Sequence, residues 1–192
     1  EASAKELCYF TGASNQVLRR LEKLGFLTQR EQEVLRRPPV TPGSPAPLVL
    51  SEQQQAVYDG LLAQSRREKP GVALLYGVTG SGKTAVYLQL IRSTLAAGRS
   101  ALLLVPEISL TPQMLSLFTA HFGDEVAVLH SSLKAGERYD EYRRIRSGQA
   151  RLVIGTRSAV FAPLQEPGLL IVDEEQEHTY KSETPPRYSA RE

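Results

Sequence analysis

The chain has 192 residues, of which 41% are hydrophobic and 23% charged, and its formal net charge is +2. That balance suits a folded globular protein of one good-sized domain, or one domain with a small companion, and excludes wholesale disorder. No apolar run approaches the about 18 residues of a membrane span, and the opening "EASAKELCYF" has no basic-then-apolar leader pattern. A cytoplasmic location without a membrane partner is the expectation. Glu1 is not a natural start, so upstream sequence is expected too.

The first unit, residues 1–37, begins with "AKELCYF", a short helix ended by Thr11 and Gly12. Cys8 is the only cysteine, which rules out an internal disulfide or a multi-cysteine metal site in this chain. It reads as a small buried residue of that helix. Ser14 can cap a second helix whose Val17, Leu18, Leu21 and Leu24 share a face, with Gly25 as its stop. "FLTQREQEVLRR" follows as a possible β-ribbon. This order is that of a winged helix, in which the second helix enters a DNA groove and Arg19, Arg20 and Lys23 meet phosphates. The same charges also fit the solvated side of a small packing module. At under forty residues, the unit needs an upstream helix or a neighbour's support.

A linker, 38–47, is marked by the five prolines and one glycine of "RRPPVTPGSPAP". Beyond it, residues 48–192 alternate. Apolar runs at 72–76, 101–105, 126–129, 151–155 and 168–173 read as buried strands, and helical stretches fall at 51–64, 83–97, 111–121 and 135–147. Continuous apolar strands joined by helical crossovers predict a doubly wound parallel sheet, an α/β domain with ligands at the carboxyl ends of its strands.

Charge is unevenly distributed. Residues 134–157 hold seven Lys or Arg against three acids, and 165–183 hold six acids against one Lys. That fits a protein handling both a polyanion and a metal ion, and equally fits solvated helix faces with pairs such as Asp140–Arg144.

The chemistry lies in two short strings. "GVTGSGKT", 77–84, matches G-x-x-x-x-G-K-[ST] between a strand and a helix. Gly77, Gly80, Ser81 and Gly82 let backbone N–H groups face a phosphate chain, Lys83 neutralises it, and the Thr84 hydroxyl is placed to ligand Mg²⁺. "LLIVDEE" comes ninety residues later. Asp173 ends a buried strand, where its carboxylate can reach the same Mg²⁺, and Glu174 can orient or deprotonate an attacking water. Together they predict a P-loop nucleoside triphosphatase.

The ordered blocks "VTGSGKTAVYL", "LLLVPEISLTPQ", "VAVLHSSLKAGER", "RLVIGTRSAVFAPL", "LLIVDEEQEHTYK" and "PRYSARE" closely resemble the PriA family of replication-restart helicases, also called primosomal protein N′. The likeness runs from about residue 49 to the end, and the winged-helix unit and linker stand where that family has them. It implies the first of two RecA-like lobes of a helicase moving 3′ to 5′ at stalled forks in primosome assembly. ATP is the implied nucleotide, with Gln53 reading adenine and Lys83 and Glu174 catalytic.

The resemblance further implies that 105–113 and 155–163 grip a single strand, with Thr156, Arg157 and Ser158 as phosphate contacts. In "HTYKSETPPRYSARE" it implies an aromatic-rich loop coupling DNA to the ATP site. There Tyr180 and Tyr188 would stack on bases, and Lys181, Arg187 and Arg191 would lie near phosphates. Implied partners are single-stranded and forked DNA, primosome proteins and single-strand-binding proteins. Zinc is implied for the full-length family, but its ligands are not in this chain.

Two departures stand out: Gln176 where the family usually has His, and Ala85 where it often has Glu. They leave Lys83, Thr84, Asp173 and Glu174 untouched, and motivate an alternative, a fork-binding, partner-recruiting scaffold with a weak or inactive ATPase. A second lobe with its arginine finger, typically worth about 10³–10⁵ in rate, does not precede Glu192. The chain alone is therefore expected to bind ATP·Mg weakly and to hydrolyse it poorly.

Overall fold

A computed structural model describes residues 4–30, 47–67, 69–78, 80–183, 185 and 187–191. The chain divides into two compact units, Glu1–Val34 and Leu35–Glu192.

In the first unit, α1 spans Ala4–Thr11 and α2 spans Asn15–Lys23, with Ser14 before α2 in an extended conformation. The end of α2 is a Schellman turn: Phe26 N–H donates to Leu21 O, Gly25 N–H donates to Glu22 O, and Gly25 has φ +77°. Of the predicted apolar face only Leu18 is buried, while Val17 and Leu24 are exposed. Cys8 is half-buried, and α1 holds no buried residue, so the expected buried cysteine is corrected. Residues 26–30 form no strand. The rest of the expected ribbon, and the linker from 38 to 46, lie outside the described residues.

The second unit is an α/β lobe built on four parallel strands, β1 (Ser100–Leu104), β2 (Val126–Leu129), β3 (Leu152–Gly155) and β4 (Pro167–Val172), in the order β2-β3-β1-β4. Side chains alternate across it with the period of two that a pleated strand imposes. Ala101, Leu103, Val126, Val128, Leu152 and Ile154 face one core with Tyr87, Ile91 and Phe118. Leu102, Leu104, Ala127, Leu129 and Val153 face another with Ile145, Ala159 and Tyr180.

Helices therefore cover both faces: α4 (Lys83–Ala96) and α5 (Pro112–Phe122) on one, α6 (Ala135–Arg146) on the other. An outer helix, α3 (Glu52–Ser65), packs Tyr58 against Val86 and Leu90 of α4. The predicted helices and four of the five predicted strands fall within a residue or two of these bounds.

The fifth strand does not form. Residues 70–78 contain neither helix nor strand, and Val72, Leu74, Tyr76 and Val78 are exposed. An apolar, β-branched run becomes a strand only when a neighbour takes up its backbone hydrogen bonds, and among the described residues none does so. Leu75 alone packs inward, against both the α4 side of the sheet and the α3 cluster.

Helix starts are encoded locally. Ser51 and Gln54 form a reciprocal capping box at α3, and Thr111 Oγ accepts from Met114 N–H at 3.2 Å ahead of Pro112. Helix α4 starts differently: Gly82, at φ +80°, precedes it with no side chain capping its amides.

Candidate nucleotide and nucleic-acid site

The loop before α4 curls so that Lys83 Nζ donates back to Gly77 O at 2.9 Å. Gly80 and Gly82 both have φ +80°, a left-handed backbone that a side chain resists. At Gly82 a Cβ would also run into the Gln54 amide. With its glycines turned this way and no side-chain cap, the start of α4 leaves donors available to an anion. Ser81 and Thr84 are exposed beside them.

A glutamine reaches this loop, and it is Gln54. Its Oε1 accepts from Ser51 N–H at 2.9 Å and its Nε2 donates to Ser81 O at 3.0 Å. Gln53 is exposed on the first turn of α3. The S-x-x-Q spacing of a capping box was the available signal for Gln54.

The end of β4 comes to the same place. Asp173 N–H donates to Leu104 O at 2.9 Å, which extends the ladder and holds the residue at the carboxyl edge of the sheet. Glu174 follows in a left-handed conformation, φ +45°, which is uncommon for a side-chain-bearing residue. Its Oε1 lies 3.8 Å from Lys83 Nζ, and its Oε2 accepts from Gln176 Nε2 at 2.7 Å. The structure thus brings Lys83 and Glu174 together across ninety residues of sequence.

Two tyrosines organise Asp173. Tyr87 Oη, from α4, donates to Asp173 Oδ1 at 3.0 Å. Tyr180 Oη donates to Asp173 O at 2.6 Å and lies 3.1 Å from Leu104 O. Burial, then the Asp173 charge, holds both phenols protonated well above their usual range. Tyr87 lies four residues after Lys83, hence on the same helix face. That spacing was the only sequence signal for it.

The exposed Thr84 hydroxyl and the Asp173 carboxylate at the sheet edge are oxygen donors of the kind a hydrated Mg²⁺ takes.

The predicted nucleic-acid contacts separate into two groups. Tyr180 is only 1% exposed and Thr156 only 4%, so neither offers a ring or hydroxyl to solvent. Tyr180 is a core residue, which corrects its expected role in stacking, and Thr156 is a buried residue of the turn after β3. Arg157 is half-buried. It donates to Lys181 O at 2.6 Å and Thr179 O at 3.4 Å, and its guanidinium lies 5.5 Å from the Tyr188 ring centroid.

Ser158, Lys181, Arg187 and Arg191 are exposed, and Arg191 is paired with Glu175 at 3.2 Å. Ser182 N–H pairs with Tyr188 O at 2.8 Å and Ala190 N–H with Tyr180 O at 2.9 Å, so residues 180–182 and 188–190 run antiparallel. In the other unit, Arg19, Arg20 and Lys23 are exposed on α2.

Residues 48–189 match the family described as type III restriction enzyme, res subunit. The chain belongs to that family. Relatives of the res-subunit lobe bear out the resemblance read from the motifs. The chain is 46% identical over 191 residues to replication restart protein PriA of Bacillus subtilis, covering 98% of this chain and 24% of that protein. It is 45% identical over 181 residues to PriA of Synechocystis sp., covering 93% and 21%. The chain thus spans about a quarter of the length of the curated relatives it matches.

A solved structure of RecG bound to a three-way DNA junction superposes with a TM-score of 0.57 at 28% identity, over 66% of this chain and 18% of that one. The α/β unit is a RecA-like P-loop lobe.

Proposed function

We propose that this res-subunit lobe is the ATP-binding half of a DNA helicase of the PriA type, acting at stalled forks during replication restart. The observation that carries the proposal is the meeting of Lys83, Glu174, Tyr87 and Asp173 at the carboxyl edge of the sheet. Bound ATP·Mg would supply the transferable phosphoryl group and neutralise part of its charge. Around it, the amides at Gly80 and Gly82 would orient the phosphates and Lys83 Nζ would counter their charge. Thr84 Oγ and the Asp173 carboxylate would hold the cation, and a Glu174 oxygen would orient the attacking water and take its proton. Likeness to PriA and to junction-bound RecG supports forked and single-stranded DNA as the partner. The winged-helix role of residues 1–37 and a primosome partner belong to the same proposal.

A second reading is favoured by one contact. Both carboxylate oxygens of Glu174 are engaged, one beside Lys83 and one by Gln176, an arrangement suited to a site that binds nucleotide and turns it over poorly. The protein would then serve as a fork-binding scaffold.

The test starts with a fluorescent ATP analogue and Mg²⁺. Lys83→Ala removes a hydrogen-bonding charge and is expected to weaken binding about 10–100-fold without lowering the melting temperature. Equal binding by the variant would remove the basis of the proposal. In the whole protein, turnover stimulated by forked DNA and lost in Lys83→Ala would mark the motor. Fork binding without turnover would mark the scaffold.

A further inference from the structure

Phe161 closes the 3-10 turn Arg157–Phe161 that follows β3. Its neighbours Ala159, Val160 and Ala162 turn into the core, but Phe161 itself is 59% exposed. The ring meets Tyr188 edge to face, with centroids 4.9 Å apart and planes at 64°. Tyr188 is half-buried, with the Arg157 guanidinium 5.5 Å from its ring centroid and its backbone oxygen paired to Ser182 N–H. Tyr188 is therefore clamped, whereas Phe161 keeps open surface. Lys181, bridged to Ser189, and Arg187, the residue before Tyr188, are both exposed on the same segment, and the Arg157 guanidinium is the cation that meets the aromatic pair.

We infer that Phe161 and Tyr188 form a base-stacking platform for single-stranded DNA, in which Phe161 offers the open ring and Tyr188 buttresses it. The inference rests on the DNA-binding function proposed above and assigns the stacking to a residue outside the aromatic-rich loop. An edge-to-face pair fixes a ring's orientation while leaving surface open to a third ring. Every base has a π-face, so such a platform tolerates any sequence, and exposed Lys181 and Arg187 on the segment that carries Tyr188 supply charge for the phosphates of the same strand. A protein partner would suit the ring less well, because an aromatic pair with Arg157 against it, on a segment carrying exposed Lys181 and Arg187, matches a polyanion that carries flat apolar rings.

The chain contains no tryptophan, so Phe161→Trp introduces a single emitting indole at the site. It is titrated with an oligothymidylate of about ten nucleotides and with an abasic oligomer of the same length. Indole emission is expected to be quenched by the oligothymidylate and left unchanged by the abasic oligomer. Phe161→Leu is expected to bind the oligothymidylate about tenfold more weakly, to bind the abasic oligomer as the parent does, and to keep the parent's melting temperature.

Phe161→Tyr should restore base-dependent affinity. If the parent binds the oligothymidylate but the indole of Phe161→Trp does not respond, or Phe161→Leu loses nothing, the platform is overturned. The same holds if the indole emission is already blue-shifted and unresponsive, which would mean that protein covers the ring. If the parent binds neither oligomer, the DNA-binding function itself fails, and the platform falls with it.

Discussion

Tyr87 sits one helical turn beyond Lys83, so the helix that presents the lysine also carries a hydroxyl to Asp173 Oδ1. A carboxylate proposed to hold Mg²⁺ gains orientation from such a bond, and loss of an outer partner typically costs a metal site about 10–100-fold in affinity. In Tyr87→Phe, the Mg²⁺ concentration needed for half-maximal nucleotide binding is expected to rise about tenfold, with nucleotide affinity in EDTA unchanged. A parallel loss with and without Mg²⁺ would assign Tyr87 to packing alone. Tyr180 shows the opposite lesson at the same scale. Its place in an aromatic, basic stretch resembled a stacking residue, yet its ring is covered by the core and its hydroxyl ties its own segment to the end of β4.

At the scale of elements, α6 is fastened to β2 by a buried ion pair. Arg144 meets Glu141 at 2.7 Å with both side chains almost wholly covered. The guanidinium also donates to Asp124 O and Val126 O, while Glu141 Oε2 accepts from Val128 N–H at 3.0 Å. Part of the basic segment 134–157 is therefore structural and unavailable to a polyanion. Glu141→Ala leaves the guanidinium buried beside a vacated site and is expected to cost about 3–5 kcal/mol. Replacing both residues with apolar ones of similar volume should cost much less, and urea midpoints of the two variants decide the matter. Sequence periodicity located α6 and β2 well, but it could not say that two of the charges between 134 and 157 point inward. Helical charges read as solvated until a neighbouring strand offers carbonyls to meet them.

For the whole molecule, the two tyrosines at Asp173 link stability to pH. Burial and the nearby carboxylate keep both protonated in the folded lobe beyond the pH at which an unfolded tyrosine ionises, about 10. The folded state then binds more protons than the unfolded one, so stability is fully present below about pH 10 and falls as pH rises above it. Melting temperatures measured from about pH 8 to about pH 11 should show this decline, and Tyr87→Phe should make it shallower. A parent and variant with the same slope would contradict the assignment.

The order of elements, the parallel character of the sheet, the phosphate loop and the two acids after β4 follow from local pattern: apolar runs of strand length, helical spacing between them, and glycines before Lys83. These depend on backbone sterics and side-chain period, which a sequence displays directly. The tertiary structure alone decided that residues 72–76, as apolar as β1, stay outside the sheet, because a strand exists only in a ladder with a partner. It also decided that Gln54 and Tyr87 touch the site, and that Phe161 is exposed while Tyr180 is buried. Which side of a loop faces the core is set by the elements packed beneath it, and those are distant in the chain.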